Sequence, residues 1–416
     1  MTVAFAGRRS RLRRRERPER EPVPREAWRR LAACTAAAAL LQLDGTLITV
    51  ALPSVAHSLR VSSGSTAIVL SAYFLAYAVA LLPGGSLVDR YDARRLSLLG
   101  LALFAVGAGA GALMPSIAPL VASRVVQGIG AGLVSPAALA GAVSGFPPER
   151  RGSALGIWGA SAGMSNLLGP VMGGVLTVAF GWRADWWALV PLTLLVAVGV
   201  MRAVPPTVHG ESVGHPVLNG MVLAASAVAA LTFAVMIGCF YLAEQYLQRA
   251  AGFSALGASA VLVVVALLVG AAAPLAGRLV DQHGERLPAV AGFLAAAVGL
   301  IVLGIPGMPL HSLVTVLPLI PVGLGLGMLF VPTSRAALNA SPLASHGRTS
   351  ALLSVGRLLG AAVGAGLAGI ALAGGVTAST VHVALLIGCG ACVFLGIPAA
   401  SRLGPGVRPA PLASER

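Results

Sequence analysis

The sequence predicts an all-α membrane protein, with twelve transmembrane helices arranged in two pseudo-symmetric halves of six helices each. Three observations support this fold class: the composition, the number of long apolar segments and an internal repeat. Of the 416 residues, 57% are hydrophobic and only 10% are charged, and the mean hydropathy is +0.87. Soluble domains are roughly 45–50% apolar and about 25% charged. The chain is therefore expected to lie in a lipid bilayer.

Long apolar segments divide the chain into its expected parts. A helix needs about 20 apolar residues to cross roughly 30 Å of hydrocarbon. The predicted spans are 31–56, 66–88, 95–114, 118–145, 152–180, 185–204, 218–247, 255–280, 286–305, 311–339, 346–373 and 378–401. The expected parts are a disordered Arg-rich cytoplasmic tail at 1–30, an N-terminal half at 31–204, a central cytoplasmic linker at 205–217, a C-terminal half at 218–401 and a cytoplasmic tail at 402–416.

The two predicted halves share a sequence repeat. Gly85 and Asp89 in the first half recur with the same spacing as Gly277 and Asp281 in the second. A glycine triplet recurs at a nearly equal offset: Gly128, Gly130 and Gly132 correspond to Gly323, Gly325 and Gly327. An internal duplication is the simplest explanation, and duplicated halves in a membrane protein are typical of secondary transporters.

The basic residues are distributed asymmetrically along the chain. All 29 of them are arginine. If the N-terminus is cytoplasmic, 23 lie on the cytoplasmic side, three lie in the opposite loops, and Arg124, Arg335 and Arg357 lie within spans. This excess follows the positive-inside rule, so both termini are predicted to be cytoplasmic and the net charge does not indicate nucleic-acid binding. A signal peptide is a weaker interpretation, because no convincing cleavage site follows the tail.

The repeated glycine and aspartate lie at the predicted cytoplasmic end of the second span. Gly85 is expected to let another helix approach closely, and Asp89 to accept a hydrogen bond from a helix N-terminus or an arginine. Such a contact is worth roughly 0.3–2 kcal/mol, which biases a two-state equilibrium without locking it.

The sequence around this repeat resembles a known family. Residues 85–95, which include Arg90 and Arg94, are similar to the loop signature of the major facilitator superfamily, and 277–286 is a weaker second copy. Asp92 departs from the signature, which usually has glycine there. We expect conformational gating at Gly85, Asp89, Arg90, Arg94, Gly277 and Asp281.

Three further segments resemble motifs of the drug:proton antiporters within that superfamily. Residues 43–53 are similar to the first-span motif of the fourteen-span branch, 124–130 to the fourth-span motif and 169–174 to the fifth-span antiporter motif. The two additional central helices of that branch have no room between 201 and 217, so the prediction stays at twelve spans. The resemblance implies proton-coupled export of drugs.

The fifth-span motif also has a direct physical interpretation. Gly169, Pro170, Gly173 and Gly174 remove side chains and one backbone donor from the helix. Close packing against a neighbour and a local bend are expected. In the resembling antiporters this motif restrains leakage.

Asp44 is the principal candidate for proton coupling. It lies about midway along the first predicted span, where a carboxylate costs about 2.5–3.5 kcal/mol and should face the protein interior or a wet cavity. Desolvation favours the neutral form of a carboxyl group, which makes Asp44 a candidate proton carrier. An aspartate that only bonds neighbouring helices is the alternative.

Arg124 is the candidate partner of this aspartate. It is the only basic residue deep in the first half, so we expect it to pair with Asp44. The family resemblance implies a role for Arg124 in proton coupling. A purely structural ion pair is the alternative.

A second carboxylate and several aromatic residues are candidates for a substrate cavity. Glu244 lies about one turn beyond the position that corresponds to Asp44 by the repeat, so it is predicted to face a central cavity and bind a cationic substrate. A location near the outer mouth beside Arg249 is the alternative. The candidate cation–π residues are Tyr73, Tyr77, Trp158, Tyr241 and Tyr246, with ordinary helix packing as their alternative.

No cofactor, metal site or enzymatic chemistry is predicted. The four cysteines lie in predicted spans, and Cys389 and Cys392 have redox spacing but fit better as small buried residues on one helix face. The seven histidines show no paired-ligand spacing. The chain lacks a phosphate-binding loop for nucleotide-driven transport and a nucleophile–base constellation.

The sequence thus predicts a monomeric, proton-coupled exporter of small amphipathic or cationic compounds in the cell membrane. Its partners would be the small-molecule substrate, protons and the lipid bilayer, without nucleic acid. A metabolite carrier on the same fold is one alternative. A membrane receptor or scaffold without transport is the other.

Overall fold

The computed structural model describes residues 23–143, 146, 151–206, 218–308, 310, 316–341 and 346–404. The helices are α1 (Arg25–Ser58), α2 (Ser63–Arg90), α3 (Ala93–Leu113), α4 (Ile117–Val143), α5 (Arg151–Phe180), α6 (Arg183–Ala203), α7 (Gly220–Arg249), α8 (Ala255–His283), α9 (Arg286–Leu303), α10 (Val316–Gly327), α11 (Phe330–Asn339), α12 (His346–Ala371), α13 (Ala378–Ala391) and α14 (Ile397–Ser401). Most of the expected tails and of the linker lie outside the described residues.

The helices account for the predicted membrane spans. Eleven apolar segments of the described chain are long enough to cross a membrane. The fifth span is α5, whose described apolar part is Leu167–Phe180. The prediction of an all-α membrane protein with two sets of six spans is confirmed. One boundary moves: α1 begins at Arg25, so the last residues of the tail expected to be disordered at 1–30 are helical.

Two spans that were each expected as one helix are interrupted. The tenth span consists of α10 and α11, which meet at a turn just after the glycine run that ends at Gly327. Glycine weakens a helix interior because it loses the most conformational freedom on folding. The twelfth span consists of α13 and α14, joined by a π-helical turn at Cys392–Gly396.

Polar side chains fix where several helices begin. The Ser62 hydroxyl accepts from the Ser65 amide at 3.1 Å, which caps α2. Asn219 caps α7 by accepting from the Val222 amide at 2.8 Å. These bonds satisfy amide groups that have no partner inside the helix, and each cap is worth about 1 kcal/mol.

The glycine repeat produces the same packing in both halves. A Cβ added at Gly130 of α4 would lie 2.5 Å from the carbonyl oxygen of Gly100 in α3. In the second half, a Cβ added at Gly325 of α10 would lie 2.5 Å from the carbonyl oxygen of Gly292 in α9. Only glycine permits such backbone contact, so the repeat reports a duplicated helix-packing arrangement.

The connections define two ends of the helical bundle. We call the end with the α1–α2 turn the α1–α2 end, and the opposite end the α2–α3 end. The two halves meet toward the α1–α2 end. Ser71 of α2 donates to the Ala362 carbonyl of α12 at 2.9 Å, and a Cβ at Gly64 would lie 2.6 Å from the Gly369 carbonyl oxygen. The described conformation is therefore closed at this end.

Candidate functional site

An ion pair is buried inside the first half. Asp44 projects from α1 and Arg124 from α4, and Nη1 of Arg124 lies 2.8 Å from Oδ1 of Asp44. Neither side chain has any exposed surface. The pair that the sequence predicted is therefore present in the structure. Removing the aspartate from such a pair would leave an uncompensated cation and cost about 3–5 kcal/mol.

The arginine is held by three further contacts. Its Nη1 donates to Oε1 of Gln127 at 2.8 Å, and its Nε donates to the Val69 carbonyl at 3.4 Å. The Tyr73 ring lies 4.2 Å from the guanidinium carbon, and its hydroxyl donates to the Leu41 carbonyl at 2.9 Å. Arg124 is thus positioned even before its bond to the aspartate is counted.

The pair keeps unused hydrogen-bonding capacity. Oδ2 of Asp44, Nη2 of Arg124 and Nε2 of Gln127 are buried and have no hydrogen-bond partner among the described residues. A proton bound at Oδ2 would neutralise the aspartate while Oδ1 still accepts from Arg124. Oδ2 is thus an acceptor that a proton could occupy while Arg124 keeps its bond to Oδ1.

The glycines of α5 pack against α1 beside Asp44. A Cβ at Gly169 would overlap the hydroxyl of Thr46, which itself donates to the Ser165 carbonyl at 3.4 Å. A Cβ at Gly173 would lie 2.6 Å from the Leu47 carbonyl oxygen. The close packing predicted for this motif is therefore made with the helix that carries the candidate proton site.

The same motif also reaches the second half. A Cβ at Gly174 would lie 2.7 Å from Oγ of Ser259 and 3.0 Å from the Cα atom of Leu256, both in α8. Pro170, between the two contacts, is buried within the helix. One face of α5 thus touches α1 while its neighbouring face joins the two halves.

A polar cluster joins α2 and α7 at the α1–α2 end. The hydroxyls of Tyr241 and Thr66 lie 2.8 Å apart, and Tyr241 also donates to the Ser63 carbonyl. Gln245 donates to the Thr66 hydroxyl at 3.3 Å. Arg249 donates to the Ser63 hydroxyl at 2.5 Å. The side chains of α7 thereby hold the first turn of α2.

Glu244 lies beside this cluster and is bridged to the first half. Nε2 of Gln248 donates both to Oε2 of Glu244 at 2.6 Å and to the Val50 carbonyl of α1 at 2.9 Å. The other carboxyl oxygen, Oε1, is buried and unpartnered among the described side chains. Glu244 is 1% exposed, so in this conformation it lies within the contact between the halves. The alternative partner, Arg249, bonds Ser63 instead.

The candidate cavity aromatics are mostly buried here. Tyr73 stacks on Arg124, and the Tyr77 ring lies 5.9 Å from the Tyr73 ring. Tyr241 belongs to the polar cluster, and Trp158 is partly buried against the core. All four candidate tyrosines, Tyr246 included, are buried by helix packing in the described conformation.

At the end of α2, the glycine that contacts a neighbouring helix is Gly84 and not the predicted Gly85. No described atom lies within 4 Å of a Cβ added at Gly85, or at its counterpart Gly277. The close approach occurs one residue earlier, where a Cβ at Gly84 would overlap the carbonyl oxygen of Gly132 in α4. One residue turns a helix by about 100°, which moves Gly85 off the contact face.

The charged residues of the repeated loops have separate roles. Asp92 caps α3 by accepting from the Arg94 amide at 2.8 Å, which explains an aspartate at this position. Arg90 is exposed, and the side chain of Asp89 lies outside the described part of the structure. In the second half, Asp281 pairs with Arg335 of α11, whose Nε also lies 3.5 Å from Oε1 of Glu285.

Sequence reasoning missed the uncharged residues that complete the site. They are Gln127 beside the ion pair, Gln248 beside Glu244, and Gln245 and Thr66 in the polar cluster. Amides and hydroxyls carry no charge signal in a hydropathy analysis. The helical spacing of three and four residues from Arg124 and Glu244 was the available signal, because such residues share a helix face.

Comparison with known proteins identifies a matching family and several relatives. A family model described as Major Facilitator Superfamily matches residues 34–365. The chain is 27% identical over 403 residues to the multidrug resistance protein Stp of Mycobacterium tuberculosis (strain CDC 1551 / Oshkosh), covering 82% of this chain and 75% of Stp. It is 24% identical over 380 residues to the riboflavin transporter RibZ of Clostridioides difficile (strain 630), covering 77% and 83%.

A solved structure shares the fold. A bacterial homologue of the human lysosomal transporter Spinster, in an inward-facing and occupied conformation, superposes with a TM-score of 0.72 at 19% identity. The match covers 90% of this chain and 96% of that one.

Proposed function

This chain belongs to the major facilitator superfamily, and we propose that it exports small amphipathic compounds in exchange for protons. It is a multi-pass membrane transporter rather than an enzyme, as its family and its relatives establish. The observation that supports proton coupling is the fully buried ion pair of Asp44 and Arg124, in which one carboxyl oxygen has no partner among the described residues.

The ion pair suits a proton carrier for an electrostatic reason. Two opposite charges in a water-poor interior attract strongly, but each also loses its hydration, so their net stabilisation is small. Protonation of Asp44 removes one charge and leaves Arg124 supported by Gln127 and the Tyr73 ring. The two protonation states therefore favour different surroundings, which lets a proton bias a conformational equilibrium.

The coupling to conformation would pass through α5. Gly169 and Gly173 contact α1 beside Asp44, while Gly174 contacts α8 at the closed end. A shift of α1 on protonation would thus change the α5–α8 contact between the halves. Rocking of two repeats about a central site is the general mechanism of such folds.

The arginine distribution supports the orientation, and the name of a relative supports the direction of transport. With the α2–α3 end in the cytoplasm, the described conformation is closed to the outside. The relative Stp is named a multidrug resistance protein, which favours export of drugs or antibiotics. Each proton moving inward across 100 mV contributes about 2.3 kcal/mol, enough for a roughly 50-fold gradient of an uncharged compound.

Proton movement in inverted membrane vesicles tests this function. Vesicles with the wild-type protein are acidified inside, and a panel of amphipathic drugs and dyes is added while the internal pH is followed. An exported compound should collapse the pH gradient in wild-type vesicles and leave it intact with Asp44→Asn. Arg402→Gln, which removes an exposed arginine far from the ion pair, is the matched control and should behave as wild type.

Two outcomes would contradict the proposal. Equal collapse by wild type and Asp44→Asn would remove Asp44 from the coupling. Accumulation of an added compound inside the vesicles without any change in internal pH would indicate transport by another driving force.

A metabolite carrier is the second candidate. The relative RibZ of Clostridioides difficile is named a riboflavin transporter, which favours transport of a metabolite. Stabilisation of the purified protein by riboflavin or related metabolites, without stabilisation by drugs, would favour this function.

A further inference from the structure

One arginine of the second half lies within a membrane span and has no counter-ion among the described residues. Arg357 projects from α12, and its Nη2 donates to the Ser334 hydroxyl at 3.0 Å. The rings of Phe233 and Phe330 lie 5.9 and 5.8 Å from its guanidinium carbon. Within the described ranges, no carboxylate forms an ion pair with Arg357.

This arginine lies further from the α1–α2 end than the candidate proton site. Phe233, beside Arg357, is fifteen residues, or about 22 Å, from Gln248 along α7, whereas Asp44 is six residues, or about 9 Å, from Val50, the α1 residue that Gln248 bonds. Asp44 and Arg124 balance each other, so the charge of Arg357 is left uncompensated. Glu244 is too distant to neutralise it, because it lies eleven residues, or roughly 16 Å, beyond Phe233 along α7.

Arg357 points away from the bilayer. The side of α12 that faces outward is marked by its exposed apolar residues, Leu359, Val363, Leu367 and Ile370. At 3.6 residues per turn, Arg357 lies about 120° around the helix from this stripe. Ser350 and Ser354 share the inner side with Arg357, and all three are partly exposed.

Arg357 contacts α7 on the face of that helix that also meets the first half. Phe233, which contacts Arg357, lies on the same face of α7 as Tyr241, Glu244 and Gln248. That face meets the first half at the α1–α2 end through the Ser63 and Val50 carbonyls. Arg357 therefore lies beyond the closed contact, on the side of the α2–α3 end. Its Nε and Nη1 bond no described residue, and the side chain is partly exposed.

We infer that Arg357 binds an anionic group of the transported compound, which makes the substrate an amphipathic organic acid. A guanidinium group offers parallel N–H donors that match a carboxylate or sulfonate. Phe233 and Phe330 supply apolar surface for the body of the compound. A permanently cationic compound would be repelled at this level. The inference rests on the proposed transport function and narrows its substrate class.

The alternative explanation is a purely structural role for Arg357, in which its guanidinium group only stacks on the rings of Phe233 and Phe330. Cation–π contacts also stabilise an arginine among phenylalanines. In that case, loss of Arg357 would change the stability of the empty protein but not its discrimination between acidic and neutral ligands.

A pair of dyes that differ only in one acidic group separates the two explanations. The probes are anilinonaphthalene sulfonate and its uncharged parent, N-phenylnaphthylamine. The purified full-length protein is heated in detergent at increasing dye concentrations, and the apparent Kd follows from the rise in unfolding temperature. The variants are Arg357→Gln and Arg357→Lys, with Arg402→Gln as the control that removes an exposed arginine.

The sulfonate should bind the wild type more tightly than its parent. Arg357→Gln should weaken sulfonate binding by roughly 10- to 100-fold, the effect of losing a charged hydrogen bond, and leave the parent unchanged. Arg357→Lys should retain part of the preference because it retains the charge, which keeps the test valid if the Gln variant folds poorly.

Three results would overturn the inference. They are failure of the sulfonate to stabilise the wild type, equal binding of the two dyes, or equal loss of both in Arg357→Gln. Because the assay measures binding without a proton gradient, it is independent of the Asp44→Asn vesicle experiment. An acid preference that depends on Arg357 would stand even if proton antiport failed.

Discussion

The energetics of the buried ion pair can be tested by a double-mutant cycle. Asp44→Asn leaves the Arg124 cation with no exposed surface and only Gln127, a backbone carbonyl and the Tyr73 ring as support. Its expected cost in unfolding free energy is about 3–5 kcal/mol, the cost of an unpaired buried charge. Arg124→Gln should cost less, about 1–3 kcal/mol, because a buried carboxylate without a counter-ion can take up a proton.

The double variant should lose less stability than the sum of the two single variants. The double variant contains neither the unpaired Arg124 cation nor the unpaired Asp44 carboxylate. A coupling energy of at least about 2 kcal/mol is therefore expected between these two residues, which are in direct contact. The assay is unfolding of the full-length protein in mixed micelles with increasing sodium dodecyl sulfate. Additive losses, within about 0.5 kcal/mol, would refute the electrostatic reasoning and leave the pair as ordinary helix packing.

Three further predictions concern packing and closure. Gly84→Ala should destabilise the protein by about 1–3 kcal/mol because its Cβ overlaps a backbone carbonyl, whereas Gly85→Ala should be neutral or stabilising, and thermal unfolding separates them. Gly173→Leu should block or uncouple transport, because its side chain would collide with the α1 backbone; a normal ratio of protons to substrate in vesicles would contradict this. Gln248→Met should loosen the α1–α2 end, so a cysteine placed at Ala67 in a cysteine-free background should react faster with maleimide; an unchanged rate would show that the bridge is dispensable.

The sequence was sufficient to predict the architecture for a physical reason. In a bilayer, length and hydropathy decide which segments become helices, because backbone groups must be satisfied within the segment. The glycine triplets also located the duplicated packing of α3 with α4 and of α9 with α10. The pairing of Asp44 with Arg124 could be predicted because few charged residues lie deep in the first half.

The remaining features depend on rotation and tertiary contact. Whether Gly84 or Gly85 meets α4 is decided by about 100° of helix rotation, which a pattern of apolar residues does not specify. The sequence placed Arg357 within a span but could not show that phenylalanines rather than carboxylates surround it. The bridge from Gln248 to the Val50 carbonyl joins residues from opposite halves, so no local signal existed.

The candidate proton site and the closed end share one helix. In α1, Asp44 bonds Arg124, while Val50, about 9 Å further along, accepts the bond from Gln248 of the second half. Between them, Leu47 is in backbone contact with Gly173 of α5. Since helices are stiff over this length, a change of charge at Asp44 that moves α1 must also strain the contacts at the closed end. Substitutions at Gly173 and Gln248 should therefore alter the same property, the dependence of opening on proton binding, although neither residue contacts the ion pair.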